Sequence, residues 1–374
     1  MEHDLLIDWL RLIRSPSMGA VTLGHLIRHL GHPSAVLTAT RKTLSTIPRL
    51  SFATVNTLEQ FRHRIPVAPI ARELQRLQDM GGRVLALGEA DYPPMLATLY
   101  DPPPALFILG DPAVLTGGGP VTVTGTRKAT RNGVEFATRL GRDLAQSGIV
   151  TVSGLAIGID TAAHLGALDG GGLAVAVLAT GLDQFYPRAN RELQQQIAHK
   201  GCVVTEAPLG LLAVPWLLPA RSRILAGLSR GVVIVEAPEK SGALITARMA
   251  LEQGREVFAV PGSPNDPTTR GTHELLRQGA RLTEGVADIL EELQWPLRPP
   301  LALSVDPKPS IHPLPGEAAT ILARIEAGAV QEDELARCCQ VSVAELSCIL
   351  LQLELSGLVE RRPGGQYAAF RQTY

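Results

Sequence analysis

Aromatic residues make up only 4% of this 374-residue chain: seven Phe, five Tyr and three Trp. A broad base-stacking platform, as in oligonucleotide-binding barrels, is therefore not expected. Cysteine is equally sparse. Of four, Cys338 and Cys339 adjoin, Cys348 follows in the same segment and Cys202 stands alone. That spacing supports neither a disulfide framework nor, without any CxxC, a structural zinc site. No apolar run has the length of a membrane span, and the best stretch, 211–218, is interrupted by Pro215 and followed by Pro219. The first residues, Met1-Glu2-His3-Asp4, lack the basic start of a signal peptide. These absences describe a reduced, cytoplasmic protein with no membrane partner and no metal.

Charge of one sign is also missing. The net charge is −1, with 35 basic and 36 acidic residues. Residues 1–75 carry nine basic against five acidic, 120–290 carry 17 against 15, and 291–374 carry seven against 11. No region is a polycation, so nucleic-acid binding would have to come from a focused pocket. No GxGxxG occurs, which argues against a dinucleotide site, and no glycine precedes a lysine, which argues against a P-loop. No cofactor is expected.

What is present points to several domains. Residues 1–80 read as short helices with breaks at 15–19 and 32–34, resembling paired helix-hairpin-helix (or SAM-like) units. The turn Arg49-Leu50-Ser51 lacks the glycines with which such hairpins hold phosphate, so a packing role is expected there. Residues 81–119 read as a connector with some strand content, stiffened by Asp101-Pro102-Pro103-Pro104. From Pro120 to 293, six short apolar runs alternate with helical segments. That pattern predicts a doubly wound, mostly parallel α/β sheet covered on both faces. Residues 294–315 form a proline-rich linker. Residues 316–374 predict three helices and a hairpin, a winged helix, whose recognition helix over Ser342–Ser356 carries Glu345 and Glu354 and no basic residue. A protein-contact or regulatory role is expected for it, since an acidic face opposes entry into a groove.

The chemistry-bearing residues collect at the predicted carboxyl ends of the strands, where open α/β sheets bind ligands. They are Gly125-Thr126-Arg127-Lys128, Ser153-Gly154 with Gly158 and Asp160, Arg188 with Asn190, and Lys240-Ser241-Gly242. Glycines there permit close backbone approach, and helix N-termini with added cations form an anion site. Arg221 and Arg223 begin a further predicted helix, where positive charge opposes the dipole and an anionic partner would explain it. Asp160, Asp183, Glu206 and Glu236 have no metal-pair spacing. Ser153, Asp160 and His164 make no strained nucleophile elbow, so Asp160 is read as a helix N-cap and His164 as a packed side chain. The rim lacks an evident general base, which favours binding over turnover. A nucleotide phosphoribohydrolase on a similar fold is the enzymatic alternative. Its PGGxGT loop is absent, and Pro261-Gly262-Ser263 is a poor substitute.

Six blocks in order resemble the DNA-processing protein A (Smf) family: Gly125-Thr126-Arg127, Ser153 to His164, Gly181-Leu182-Asp183 with Tyr186-Pro187 and Asn190, Pro219 to Ile224, Ser241 to Ala247, and Phe258 to Gly262. The resemblance spans essentially the whole chain. It implies an extended Rossmann-like domain that binds single-stranded DNA in natural transformation, protects it and loads the RecA recombinase. It also implies homodimerisation through that domain, with no catalytic residue and no nucleotide cofactor. On the family's motifs, Arg127, Arg188, Asn190, Arg221 and Arg223 fall at DNA-contacting positions. Leu218 replaces the family's usual phenylalanine, and Ser222 and His273 replace asparagines. Backbone tracking by amides and a few arginines is the expected mode.

Overall fold

The computed structural model describes residues 3–294, apart from Ser17, His63, Gly118, Pro215 and Trp216. In the tail it describes 316–326, 328, 330–339, 341–342, 345–347, 349–350, 353, 359–362 and 366–369. The chain divides into two compact units, 1–300 and 301–374. The expected linker lies outside the described residues beyond Gln294, as does most of the expected Ser342–Ser356 helix.

The first unit begins with α1 (His3–Ile13), α2 (Ala20–Leu30), α3 (Pro33–Thr38), α4 (Arg41–Ser45), α5 (Phe52–Phe61) and α6 (Val67–Asp79). The short helices start where a side chain supplies the missing acceptor: His32 caps α3, Thr40 caps α4 and Ser51 caps α5. Trp9, Leu12, Leu23, Leu26, Leu44 and Leu58 form their common core. Another face of α1 and α6, through Ile7, Leu10, Ile70, Leu74 and Leu77, packs with Phe107 and Val203. The helical region thus shares a core with the sheet behind it.

That sheet has nine strands: β1 (Gly82–Ala86), β2 (Ala105–Gly110), β3 (Val121–Thr124), β4 (Thr151–Ser153), β5 (Ala174–Val177), β6 (Cys202–Thr205), β7 (Gly231–Ile234), β8 (Glu256–Ala259) and β9 (Arg281–Leu282). Their order is β1-β2-β6-β5-β4-β3-β7-β8-β9. From β6 to β9 all pairings are parallel, while β1 and β2 add as antiparallel strands beside β6. The parallel strands from β3 to β7 are buried along their whole length, the expected result of helices on both faces. Segment 81–119 therefore supplies the sheet's antiparallel margin, together with the short α7 (Pro94–Ala97).

The crossover helices are α8 (Arg131–Gln146), α9 (Ile159–Asp169), α10 (Arg191–Lys200), α11 (Leu217–Leu228), α12 (Ala243–Glu252), α13 (Arg270–Arg277) and α14 (Val286–Glu292). Helix α11 starts five residues before the predicted Ser222, because Pro219 falls in its first turn, where no N–H is needed. Arg221 and Arg223 consequently sit in the second turn. The chain runs β3 to β6 outward in one direction, then returns to β7 on the other side of β3. This reversal creates a crevice beyond the carboxyl ends of β3 and its neighbours.

The second unit contains α15 (Gly316–Glu326), β10 (Val330–Gln331), α16 (Glu332–Cys339), β11 (Val359–Arg362) and β12 (Gln366–Ala369). Its strands are ordered β10-β12-β11, closed over Ile321, Ile325, Leu335, Leu346, Leu350 and Tyr367. Ser342 and Glu345 bond reciprocally through side chain and backbone, a capping box that draws the Glu345 carboxyl below its ordinary range.

Candidate nucleic-acid interface

The switch-point crevice holds a pocket of about 310 Å³. The loop after β3 contributes Gly125, Thr126 and Arg127; the loop after β4 contributes Ala156, with Asp160 on α9. The loop after β7 contributes Pro238 and Lys240 to Gly242, and α11 contributes Leu218, Arg221 and Ser222. Three cations thus line one small cleft. Among its described lining residues Asp160 is the sole carboxylate.

Asp160 is committed to the protein. It accepts from Thr124 Oγ1 at 2.7 Å and from the Ala156 N–H at 3.2 Å. It lies inside the first turn of α9 rather than at its N-cap, which is Gly158. Arg221 donates through Nη1 to the Gly154 carbonyl at 3.0 Å. Burial lowers the proton affinity of Arg221, the Asp160 charge raises it again, and neighbouring Arg127 lowers it. Two arginines close enough to oppose each other, with one committed carboxylate nearby, leave positive potential for an anion.

Glycines fix this geometry by steric exclusion. A Cβ on Gly154 would lie 2.8 Å from Asp160 Oδ2 and 2.9 Å from Arg221 Cζ. Gly158 has φ +86°, and a Cβ there would stand 3.0 Å from the Arg127 Cα. Gly125 would meet the Glu236 carbonyl at 2.8 Å. At Gly158 and Gly125 one loop meets the backbone of another, and at Gly154 the loop meets the Asp160 and Arg221 side chains.

The helix ends differ in what they offer. At α8, Thr130 Oγ1 accepts the Gly133 N–H, and buried Glu236 accepts the Thr130 N–H at 2.9 Å. That terminus is already neutralised by a protein carboxylate. At α12 the N-cap is Gly242, no carboxylate caps the turn, Ser241 Oγ accepts the Ala243 N–H at 3.3 Å, and Lys240 to Ala243 line the pocket. The α12 terminus is therefore the one that adds amide dipoles to the cleft.

The other sequence-predicted residues do not line this pocket. Ser153 is buried and donates to the Val123 carbonyl at 2.6 Å. Asn190 is buried, donating to the Leu155 carbonyl at 2.9 Å and to Thr161 Oγ1 at 2.8 Å, so it pins the β4 loop. Arg223 does not line the cleft. Its guanidinium pairs with Glu206 at 2.6 Å, bonds the Asp101 carbonyl, and is only 12% exposed. Lys128 and Arg188 are exposed beside the loops without entering the cleft. Three side chains outside the expected site residues do contribute. Ser222 and Thr246 bond each other at 3.1 Å at the pocket wall, and Tyr186, 51% exposed, lies within electrostatic reach of Arg221. All three fall within the family-like blocks of the sequence, position 222 as a departure from asparagine.

His164 is packed rather than catalytic: it is wholly buried, both ring nitrogens lack partners, and burial pushes its pKa down to about 3. A histidine held neutral in the fold contributes fully above its unfolded value of about 6.5. Between there and about 3 the unfolded chain binds the extra proton, so stability falls as pH falls, by about 1.4 kcal/mol per pH unit. Chemical denaturation across that window should show a shallower loss in His164→Leu than in the wild type, by that slope.

Comparison with known proteins agrees with this architecture. The model of DNA recombination-mediator protein A matches residues 83–294, a DprA-like N-terminal HHH domain matches 3–49, and a DprA winged helix domain matches 305–365. DNA processing protein DprA of Bacillus subtilis is 38% identical over 264 residues, covering 70% of this chain and 86% of its own length. Protein Smf of Escherichia coli is 35% identical over 369 residues, 96% of this chain and 94% of its own. The structure of DNA processing protein A from Streptococcus pneumoniae superposes with a TM-score of 0.67 at 32% identity, covering 76% of this chain and 97% of that one. A structure of the Helicobacter pylori protein, described for its single-stranded DNA binding mode, superposes with a TM-score of 0.51 at 31% identity, covering 56% and 95%.

Proposed function

The chain belongs to the DNA recombination-mediator protein A family, and from that premise we propose that it binds single-stranded DNA in the switch-point cleft, without turnover. The carrying observation is the convergence of Arg127, Arg221 and Lys240 beside the α12 N-terminus on one cleft whose carboxylate is already engaged. Backbone phosphates suit such a cleft, because it offers charge and N–H donors at close range. Its volume suits a phosphate and an adjoining sugar more than a duplex groove. Asp160 is held by two hydrogen bonds and is not poised as a general base, which supports binding rather than catalysis.

The proposal extends to what the strand is for. The protein works in the cytoplasm during natural transformation, as a homodimer formed through the Rossmann-like domain. It keeps incoming strands from degradation and passes them to RecA. No cofactor enters this reading.

The test is competition binding on labelled oligothymidine followed by RecA filament assembly on the same strand. Single strands should outcompete duplex, and nucleation of RecA should accelerate with wild type but not with an Arg127→Ala, Lys240→Ala variant. Equal competition by duplex would refute single-strand selectivity. Unchanged RecA nucleation despite tight binding would refute the hand-over step alone.

A further inference from the structure

A second groove, of about 1080 Å³, opens between α2, the turn before α5, and the segment after α7. Its wall carries Arg28, His25 and His29 from α2 and Arg49 from the turn, and no carboxylate occurs among its described lining residues. Acidic side chains of the same helical region are engaged elsewhere: Asp8 with Arg11, Glu73 with Arg14, and Glu59 with Arg41. Arg28 and Arg49 are exposed and have no carboxylate partner among the described residues. The two histidine rings lie with centroids 4.4 Å apart and planes tilted by 54°, and both are fastened by hydrogen bonds to backbone carbonyls.

Two further features point to an occupant. Arg49 has φ 60°, the left-handed conformation that glycine adopts freely and arginine does not. A cation is held there at some conformational cost. At the lip, Tyr100 is 86% exposed, an unusual state for a tyrosine in a chain so poor in aromatics. Cations on one wall, a free aromatic ring on the other and an apolar floor of Leu50 and Leu99 form the arrangement that holds a single nucleic-acid strand by phosphate and base.

An ion pair ties the groove's lip to the helix that lines the cleft. Segment 99–102 forms its lip, and Asp101 of that segment bonds Arg223, two residues along α11 from the rim residue Arg221. We propose that this groove is a second single-strand subsite, reached by nucleotides that extend beyond the switch-point cleft. This rests on the single-strand reading above and adds where a longer strand goes. It also gives the N-terminal helical region a DNA-binding part, where its sequence alone suggested packing.

The experiment compares short oligothymidine, sized for the cleft, with long oligothymidine, using fluorescence anisotropy over a salt series. Arg28→Gln with Arg49→Asn removes both charges and keeps a residue that tolerates the left-handed turn; Tyr100→Ala removes the ring. All three side chains are exposed, so melting temperatures should be unchanged. For long strands the double variant should flatten the log–log salt slope by about 1.4, and Tyr100→Ala should weaken binding at least about fivefold. Affinity for short strands should not change. If long-strand affinity and slope match wild type while Arg221→Ala still abolishes binding, the second subsite is refuted and the first stands; the groove would then suit an acidic protein segment. Equal losses on short and long strands would refute it too, as the mark of a diffuse field. If wild type binds neither length, both readings fail.

Discussion

Arg221→Ala should weaken binding of oligothymidine by roughly 30-fold or more, without unfolding the protein. Truncating one member of a desolvated, hydrogen-bonded charge arrangement costs about 2–5 kcal/mol in binding. Arg221 fits that description: it is half-buried, anchored on the Gly154 carbonyl, and faces a cleft also lined by Arg127 and Lys240. Its loss leaves Asp160 still bonded to Thr124 and Ala156, so the fold keeps its internal contacts. Arg221→Lys should recover only part of the affinity. A lysine supplies the charge but not a fork that reaches both the loop carbonyl and a phosphate. Anisotropy on the two variants, with thermal melts as control, checks this. Equal affinity of wild type and Arg221→Ala would remove the cleft from consideration.

Arg223→Ala should act in a different way, destabilising the protein by about 1–3 kcal/mol. The side chain bridges Glu206 beyond β6 and Asp101 before β2, and it is among the least exposed arginines of the sheet domain. Burial raises the Glu206 pKa, and the Arg223 charge acts against that. Removing the guanidinium leaves the half-buried Glu206 carboxylate without its ion-pair partner. The combined change Arg223→Ala, Glu206→Gln should therefore recover part of the lost stability. Any drop in DNA affinity should follow the unfolded fraction or the displacement of α11, rather than loss of a phosphate contact. Urea denaturation of the two variants separates these, and a full-strength fold with lost salt dependence would reverse the assignment.

The contrast between these two arginines shows what the sequence could and could not convey. Both occur in one motif two residues apart, and both read as DNA contacts. The partners that internalise Arg223 lie 17 and 122 positions away in the chain, beyond the reach of local pattern. The sheet shows the same division. Strands β3 to β8 were legible because burial on both faces writes continuous apolar runs into the sequence. The order of those strands was not, because it is set by which edges meet after the chain reverses at β3 and β7. The margin strands β1 and β2 read as a connector with some strand content, since the pairing of β2 with β6 that brings them into the sheet joins segments about a hundred residues apart. Within the site, Gly125, Arg127, Lys240 and Gly242 were visible as loop residues after apolar runs. The neutralisation of the α8 terminus by Glu236 was hidden, because it links loops from two strands through a third dimension. Asn190 and Ser153 fall in conspicuous motifs, yet the structure uses them to lock the loops that carry the cations.

The most direct measurement is the salt dependence of binding to a short oligothymidine. Three phosphates neutralised by Arg127, Arg221 and Lys240 give an expected log–log slope of about −2.1, from about −0.7 per phosphate on a single strand. An Arg127→Ala, Lys240→Ala variant should fall to about −0.7, with weaker affinity at every salt concentration. A wild-type slope near zero, or one that both substitutions leave unchanged, would contradict the central claim that this cleft is where DNA is held.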